Sequence, residues 1–181
     1  MKPGLIMHYK SNSPAPRFTL LILLLIYFLV TSCENLKNDH QYVGTWQFEE
    51  KISTGDLVFN TTRTLKLTKN TYEETYLIQR ENSGSASAII GTSGDLFLAH
   101  SNMTFDLKEL GTCLVDASGL CTGSVQWYGQ GNQYWTDNIP YFRLKVVGEF
   151  QADEATLLLT RDLNNDGDIE DTGEDVVFDR I

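Results

Sequence analysis

Short segments in which apolar and polar side chains alternate recur over most of this chain. In the segment YFRLKVVGEF, Phe142, Leu144 and Val146 share one parity. Arg143 and Lys145 share the other. A period of two places successive side chains on opposite faces of the backbone, so the pattern predicts a half-buried β-strand. About eight or nine segments fit this pattern, and none has a convincing helical period.

Turns rich in Gly, Asn, Asp and Ser separate most of the predicted strands. One of them, Thr92-Ser93-Gly94, is predicted to be the hairpin turn between strands in SASAIIG and GDLFLAH. Many short strands joined by such turns are typical of an all-β domain. We therefore expect residues 42–181 to form an antiparallel up-and-down β-barrel of about eight or nine strands.

The longest connection between predicted strands covers residues 111–140. Loops of this length are uncommon in compact domains and are usually functional when they occur. SVQWYG is predicted to be one strand and QYW another, around a Gly-rich turn, which makes the connection a hairpin excursion. Its aromatic side chains predict a ligand-recognition surface, formed by Trp127, Tyr128, Tyr134 and Trp135.

The N-terminus has the order of features typical of a secretory signal peptide. Three basic residues precede a 13-residue run, residues 18–30, that is apolar except for Thr19. A membrane-spanning helix needs about 20 apolar residues, so this run is too short to be one. The run ends in Val30-Thr31-Ser32-Cys33, in which small polar residues precede a cysteine.

The sequence Val30-Thr31-Ser32-Cys33 resembles the lipobox of bacterial lipoproteins. In that family the cysteine is acylated on its thiol and its amine, with palmitate among the acyl groups, and becomes the first mature residue. The resemblance implies a signal peptide at 1–32, a lipidated N-terminus and polar tether at 33–41, and a lipid anchor on Cys33. It also implies the bacterial cell envelope, at its outer membrane. An uncleaved anchor and an ordinary secreted protein are the alternatives.

The distribution of charge argues against nucleic acid as a partner. The formal net charge is −10, and all 24 acidic residues follow Cys33, whereas three of the 14 basic residues precede it. The mature protein is therefore more acidic than the whole chain. Nucleic-acid binding relies on Lys and Arg side chains that neutralise phosphates.

Acylation of Cys33 would leave Cys113 and Cys121 as an even pair in an oxidising compartment. A disulfide is the usual state of such a pair there, and a metal site is the rarer one. We expect the bond to close a small loop that contains Asp116 and Ser118-Gly119.

Gly44-Thr45-Trp46 stands at the start of the first predicted strand, and the last contains Phe178 and Arg180. With the up-and-down series between them, these residues resemble the lipocalin-like domains of lipoproteins in Gram-negative bacteria, within the calycin group. The resemblance implies a barrel in which Trp46 packs near the closed end against Arg180. It also implies a barrel that holds one small ligand or is filled by its own side chains. Residues 111–140 and an acidic insertion near the C-terminus are not standard parts of that family.

The acidic segment DLNNDGDIED, residues 162–171, matches the first six positions, D-x-N-x-D-G, of a calcium loop. Calcium binding requires oxygen ligands at alternate residues and a glycine at the sharp turn. The candidate ligands are Asp162, Asn164, Asp166, Asp168 through its carbonyl, and Glu170, Asp171 or Glu174 as the closing carboxylate. Position twelve is Gly173, and the predicted flanking elements are strands, so the pattern departs from an EF-hand. A structural calcium site and a bare acidic hairpin turn are both open.

No motif of a recognised enzyme class is present, so we expect no catalytic activity. A G-x-S-x-G elbow is absent, and His40 and His100 are isolated in the sequence. Two function classes remain. One is a lipid-anchored barrel that binds a small apolar or glycan-like ligand, and the other is a structural or interaction lipoprotein with a filled barrel that docks another envelope protein. An open apolar pocket favours the first class and a packed barrel the second.

Overall fold

The computed structural model describes residues 41–81, 86–162 and 174–181. Within those ranges the chain is almost entirely β-structure, with nine strands, one α-helix and one 3-10 turn. In chain order the elements are β1 (Gly44–Thr54), β2 (Leu57–Leu67), β3 (Thr71–Arg80), β4 (Ala88–Ala99), β5 (Asn102–Val115), β6 (Cys121–Gly129), α1 (Gln133–Asn138), the 3-10 turn (Ile139–Tyr141), β7 (Lys145–Ala152), β8 (Thr156–Arg161) and β9 (Asp175–Arg180).

Eight of these strands close into an antiparallel barrel in the order β1, β2, β3, β4, β5, β7, β8, β9. Strand β5 makes this closure possible because its two halves have different neighbours on one edge. Residues 102–106 of β5 pair with β7, and residues 109–115 pair with β6, which is the extra strand. The predicted all-β antiparallel barrel is confirmed.

The barrel is closed over only part of the length of its strands. Strand β9 pairs with β1 at Trp46 and Gln47, whereas β1 continues beside β2 as far as Thr54. Strands β3 and β4 continue with them, through register pairs such as Ile78 with Ala88. The sheet therefore extends beyond the ring at one end, which we call the open end.

Apolar side chains fill the interior of the closed part. Five of them have 0% exposure: Trp46, Leu65, Met103, Leu157 and Phe178. The rings of Tyr72 and Phe105 meet edge to face with 5.0 Å between their centroids. Burial of each such side chain contributes about 1.5–3 kcal/mol to folding, so this packed layer is the main source of the domain's stability.

A second, smaller core lies where β5 changes its neighbour from β7 to β6. Leu107 and Leu110 of β5 are buried there against Trp135 of α1. The helix begins at Gln133 because the side chain of Asn132 accepts a hydrogen bond from the backbone N–H of Tyr134, at 2.8 Å. The helix thereby covers the junction between the two halves of β5.

The segment around Thr92-Ser93-Gly94 is not the predicted hairpin turn. Strand β4 runs through it without interruption, with an irregularity in its register to β5 between Ser93 and Gly94. A Cβ atom on Gly94 would lie 2.0 Å from the carbonyl oxygen of Asp106. The glycine is required here for a close approach between strands, not for a turn.

The excursion at 111–140 is also built differently from the prediction. Residues 111–115 belong to β5, SVQWYG lies in β6 as predicted, and QYW lies in a helix instead of a strand. Strand β7 begins at Lys145, so Phe142, which was predicted to lie in this strand, precedes it and packs on the second core. Tertiary burial of Trp135 and the cap at Asn132 outweigh the strand preference of the aromatic residues.

Candidate functional site

The inner face of the sheet continues from the packed core into the open end. Cross-strand partners share a face, and the row Phe48, Arg63, Tyr76 and Ile90 follows the row of the buried Trp46. The next rows of the inner face are partly open to solvent and carry Ile52, Phe59 and Ile78 together with the polar residues Glu50, Thr61 and Arg80. We call four apolar side chains of this face, Ile90 and three in the rows beyond it, the apolar platform: Ile52, Phe59, Ile78 and Ile90.

The apolar platform is accessible although it lies inside the curve of the sheet. Ile52 and Ile90 are 44% and 43% exposed, and Phe59 and Ile78 are half-buried. Ile52 and Phe59 are cross-strand partners, which makes this part of the platform continuous between β1 and β2. Burial of such surface by a ligand would yield about 25 cal/mol per Å² of apolar area.

Three charged side chains are buried between the platform and the packed core. We call Arg63, Glu74 and Arg161 the buried arginine–glutamate cluster; each is between 4% and 6% exposed. Arg161 donates from Nη1 to Oε2 of Glu74 at 2.9 Å and from Nη2 to Oε1 at 3.0 Å. Arg63 donates from Nε to Oε1 of the same carboxylate at 2.5 Å.

A glycine on the neighbouring strand allows Arg161 to reach Glu74 across the barrel. Gly148 of β7 is the cross-strand partner of Arg161. A Cβ atom at Gly148 would lie 2.6 Å from Cγ of Arg161, so a larger residue would displace the arginine side chain. The guanidinium of Arg161 then lies 5.3 Å from the ring centroid of Phe105. This contact is a favourable cation–π interaction.

The cluster carries one more positive than negative charge, because two guanidinium groups share one carboxylate. Arg63 lies between two rings, with its Cζ 4.8 Å from the centroid of Tyr76 and 5.1 Å from that of Phe178. Over the described ranges, Nη2 of Arg63 is buried and has no hydrogen-bond partner. An unpaired buried donor of this kind is costly and uncommon in folded proteins.

Burial and neighbouring charges shift the pKa values of Arg63 and Tyr76. Burial alone lowers the pKa of Arg63, but Glu74 and Tyr76 outweigh it and raise that pKa above its ordinary value. Burial, followed by the charge of Glu74, raises the pKa of Tyr76 to about 12. Both groups therefore keep their neutral-pH charge over the physiological range.

The four predicted recognition aromatics do not form one exposed surface. Trp135 is 6% exposed in the second core, and the rings of Tyr128 and Tyr134 contact each other at 4.8 Å. Trp127 points to the opposite face of β6 and lies against Gly91 and Gly111, where a Cβ atom would be 2.7 Å from the indole. The structure brings together Tyr128, Tyr134 and Trp135 and separates them from Trp127.

The predicted contacts at Trp46 and between the cysteines are present. Cζ of Arg180 lies 4.1 Å from the Trp46 ring centroid, and the two residues are cross-strand partners of β1 and β9. Cys113 and Cys121 form a disulfide, with 5.5 Å between their Cα atoms. The bond ties the end of β5 to the start of β6.

Most of the predicted calcium ligands, Asn164 to Asp171, lie outside the described residues. Asp162 is described and forms an ion pair with Arg143, with 3.6 Å between its Oδ1 and Nη2 of the arginine. Glu174 is also described, and it is buried at the start of the last described segment. In the part of the chain that the structure describes, no three His, Cys, Asp or Glu side chains come together as a metal-binding group.

The predicted lipidation site also lies outside the described residues, since those begin at residue 41. Within them, no helix is both long enough and apolar enough to span a bilayer.

Reasoning from the sequence missed the buried arginine–glutamate cluster. Its signal is present, because Glu74 interrupts the apolar parity of Tyr72 and Tyr76 in β3. Arg63 likewise shares the parity of Leu65 in β2. Charged residues at core positions are rarely buried unless they are paired, so two such residues on neighbouring strands predict a buried ion pair.

A mixed-charge groove of about 370 Å³ lies on the outer face of the sheet, with Lys66, Glu73, Lys108 and Glu109 among its lining residues. Its charges of both signs make it a poor match for an apolar ligand.

No protein-family model matches the chain, and no curated protein matches it either.

Proposed function

We propose that this chain is a lipid-anchored lipoprotein of the bacterial cell envelope, a non-enzymatic binding protein with a lipocalin-like barrel. It binds a small, largely apolar ligand on the apolar platform at the open end. The observation that carries this proposal is the exposure of Ile52 and Ile90 on the inner face of the sheet. Exposed apolar side chains inside a concave surface are typical of ligand sites.

The packed core decides where on the barrel the ligand binds. Trp46, Met103 and Leu157 fill the closed part, so a ligand cannot enter it without displacing them. The platform offers apolar area without that cost. The ligand therefore lies across β1, β2, β3 and β4 rather than deep in the barrel.

The lipid anchor is proposed on the signal-peptide pattern and the cysteine at its end. Cys33→Ser should leave the chain unprocessed or release it from the membrane, because the thiol that carries the acyl chain is lost. Intact-mass measurement and membrane fractionation check this. Unchanged mass and unchanged membrane association would contradict it.

A second candidate function is docking of another envelope protein, and two observations favour it. The closed part of the barrel is filled, and the hairpin between β5 and β6 exposes Leu114, Val115 and Leu120 at 45%, 58% and 58%. Exposed apolar side chains that cluster on a hairpin are typical of protein contact sites.

Calorimetric titration with decanol separates the two functions. The mature protein is placed in phospholipid nanodiscs, and the heat of titration into empty nanodiscs is subtracted. Ile90→Asp should abolish the remaining binding, because a charge on the platform disfavours apolar contact. Phe97→Asp is the matched control, since Phe97 is 54% exposed on the same strand but outside the platform. No binding by the wild type would overturn the proposed ligand function and leave docking.

A further inference from the structure

Strand β6 is an edge strand, because among the described residues it pairs with β5 and with no second strand. Near its ends it uses some of its own backbone groups. The N–H of Ser124 donates to Oγ1 of Thr122 at 3.3 Å, and the carbonyl of Gly129 accepts from the N–H of Asn132 at 3.2 Å. Residues 125–128 have no backbone partner on the side away from β5 in the part of the chain that the structure describes. Alternate residues of such an edge present N–H and C=O groups that another strand can pair with.

Strand β6 also lacks the charged side chains that usually protect an edge. Charged residues make up 21% of the chain, yet residues 117–136 contain none. Another free edge in the described ranges is formed by residues 48–54 of β1, beyond the pairing with β9, and it carries Glu49, Glu50 and Lys51. Charges on an edge strand oppose its pairing with another chain. The edge of β1 is therefore protected, whereas the edge of β6 is open to pairing.

The charge of the rest of the protein indicates which partner fits this edge. The chain has a formal net charge of −10, and all its acidic residues follow Cys33. A basic partner would be attracted to the acidic surface elsewhere and not to an uncharged strand. Two copies of the chain repel each other over most of their surfaces, but least where both contribute β6. The uncharged edge thus suits a second uncharged edge.

Two β6 strands satisfy each other completely when they pair antiparallel about a two-fold axis. Such an interface uses the same surface of both copies, so it covers both free edges and the assembly closes at two copies. Pairing of β6 with a different edge of the next copy would leave edges free and continue as a filament. The two-fold axis stands perpendicular to the joined sheet, so Val125 and Trp127 of both copies lie on one face. Both side chains are half-buried, and they would add apolar contact to the backbone hydrogen bonds.

We propose that β6 is the surface through which two copies of this chain associate, by antiparallel β6–β6 pairing that joins their sheets into one. The pairing lies on the extra strand and not at the apolar platform. The inference is therefore independent of whether the barrel binds a ligand.

The mass of the assembly is the first test. Sedimentation equilibrium of the mature protein in density-matched detergent micelles should give a monomer–dimer equilibrium. Gln126→Lys places one lysine of each copy at the joint, and Gln126 is exposed, so the fold should be kept. The dissociation constant of the dimer should rise at least about tenfold, because like charges face each other across the interface.

Gln151→Lys is the matched control, because Gln151 is exposed on β7 and pairs with Leu158 of β8. It changes the net charge by the same amount and keeps the same N-terminus, so it should leave the dissociation constant unchanged. A wild type that is monomeric at every concentration up to its solubility limit would overturn the inference. Equal weakening by both variants, or by neither, would also overturn it.

Hydrogen exchange locates the interface without any variant. Backbone amides of β6 should exchange more slowly as the protein concentration rises through the dissociation constant, because pairing protects N–H groups that are open to water in the monomer. The amides of residues 48–54 in β1 should exchange at the same rate throughout. Protection that appears in β1, or in the hairpin at Leu114 to Leu120 but not in β6, would mean that the dimer forms elsewhere and would overturn the inference.

Discussion

The guanidinium of Arg180 lies over the indole ring of Trp46, and these two residues are also the cross-strand pair that joins the last strand to the first. Arg180 donates from Nη1 to the carbonyl of Val43 at 3.1 Å, and Trp46 donates from Nε1 to the carbonyl of Tyr42 at 2.8 Å. The closure of the barrel thus depends on side-chain contacts at a point where the strand pairing is short.

Truncation of Trp46 should therefore cost much of the domain's stability. Trp46→Ala should lower the free energy of unfolding by about 3–5 kcal/mol, because it leaves a cavity in the packed core. Arg180→Ala should lower it by about 0.5–2 kcal/mol through loss of the cation–π contact. Urea unfolding measures both, with the exposed Lys66→Ala as control. A Trp46→Ala protein no less stable than this control would contradict the closure described above.

Glu74 is predicted to stabilise the fold although it is charged and buried. Glu74→Gln keeps the shape of the side chain but leaves the guanidinium groups of Arg63 and Arg161 without their shared carboxylate. Removal of one partner from a buried ion pair costs about 3–5 kcal/mol. Glu73→Gln is the matched control, because the neighbouring Glu73 is exposed. Equal unfolding midpoints for the two variants would show that the cluster contributes nothing to stability.

The raised pKa of Tyr76 predicts a loss of stability at alkaline pH. Its pKa rises from 10.0 to about 12 on folding, first because burial disfavours the phenolate and then because of Glu74. The folded state therefore favours the neutral hydroxyl. The stabilisation is complete below pH 10.0 and is lost as the pH rises towards about 12. The difference in unfolding free energy between the wild type and Tyr76→Phe, followed from pH 9 to 12, measures it. A difference that does not change with pH counts against it.

The acidic segment at 162–171 is predicted to bind calcium weakly. Five carboxylates fall within these ten residues, and a divalent cation would offset the repulsion between them. At millimolar calcium the expected gain is about 0.4–1.4 kcal/mol if the dissociation constant is about 10⁻⁴ to 10⁻³ M. The unfolding temperature, compared with calcium and with chelator, measures this gain. Asp166→Ala should abolish the calcium-dependent rise in unfolding temperature. Asp56→Ala, at an exposed position outside the segment, should keep it. An unfolding midpoint that calcium does not move would leave the segment as a plain turn.

The alternation of side chains was sufficient to predict the strands and the barrel, because burial on one face imposes a period of two on each strand. The contact between Trp46 and Arg180 was predicted from the resemblance of Gly44-Thr45-Trp46 and the last strand to lipocalin-like domains. The prediction failed at Gly94 because a glycine in a turn and a glycine at a close strand approach look alike in a sequence. It failed at QYW because the burial of Trp135 against Leu107 depends on tertiary contacts that local propensity does not contain.

The candidate site was harder to predict than the fold. Aromatic residues in the long connection suggested a recognition surface, but Trp135 packs in a core. The platform arises because β1 continues beyond its short pairing with β9, and pairing lengths cannot be read from residue types alone. Glu74 gave a local signal, yet its partner Arg161 is 87 residues away in the chain.

The most direct test of the account is to map where a ligand touches the barrel. A ten-carbon alcohol with a terminal diazirine is photolysed with the mature protein in nanodiscs, and the labelled peptides are identified by mass spectrometry. The account predicts labels on the strands that carry Ile52, Phe59, Ile78 and Ile90, and it predicts that excess decanol removes them. Labels confined to the hairpin at Leu114 to Leu120, or labels that decanol does not reduce, would contradict it.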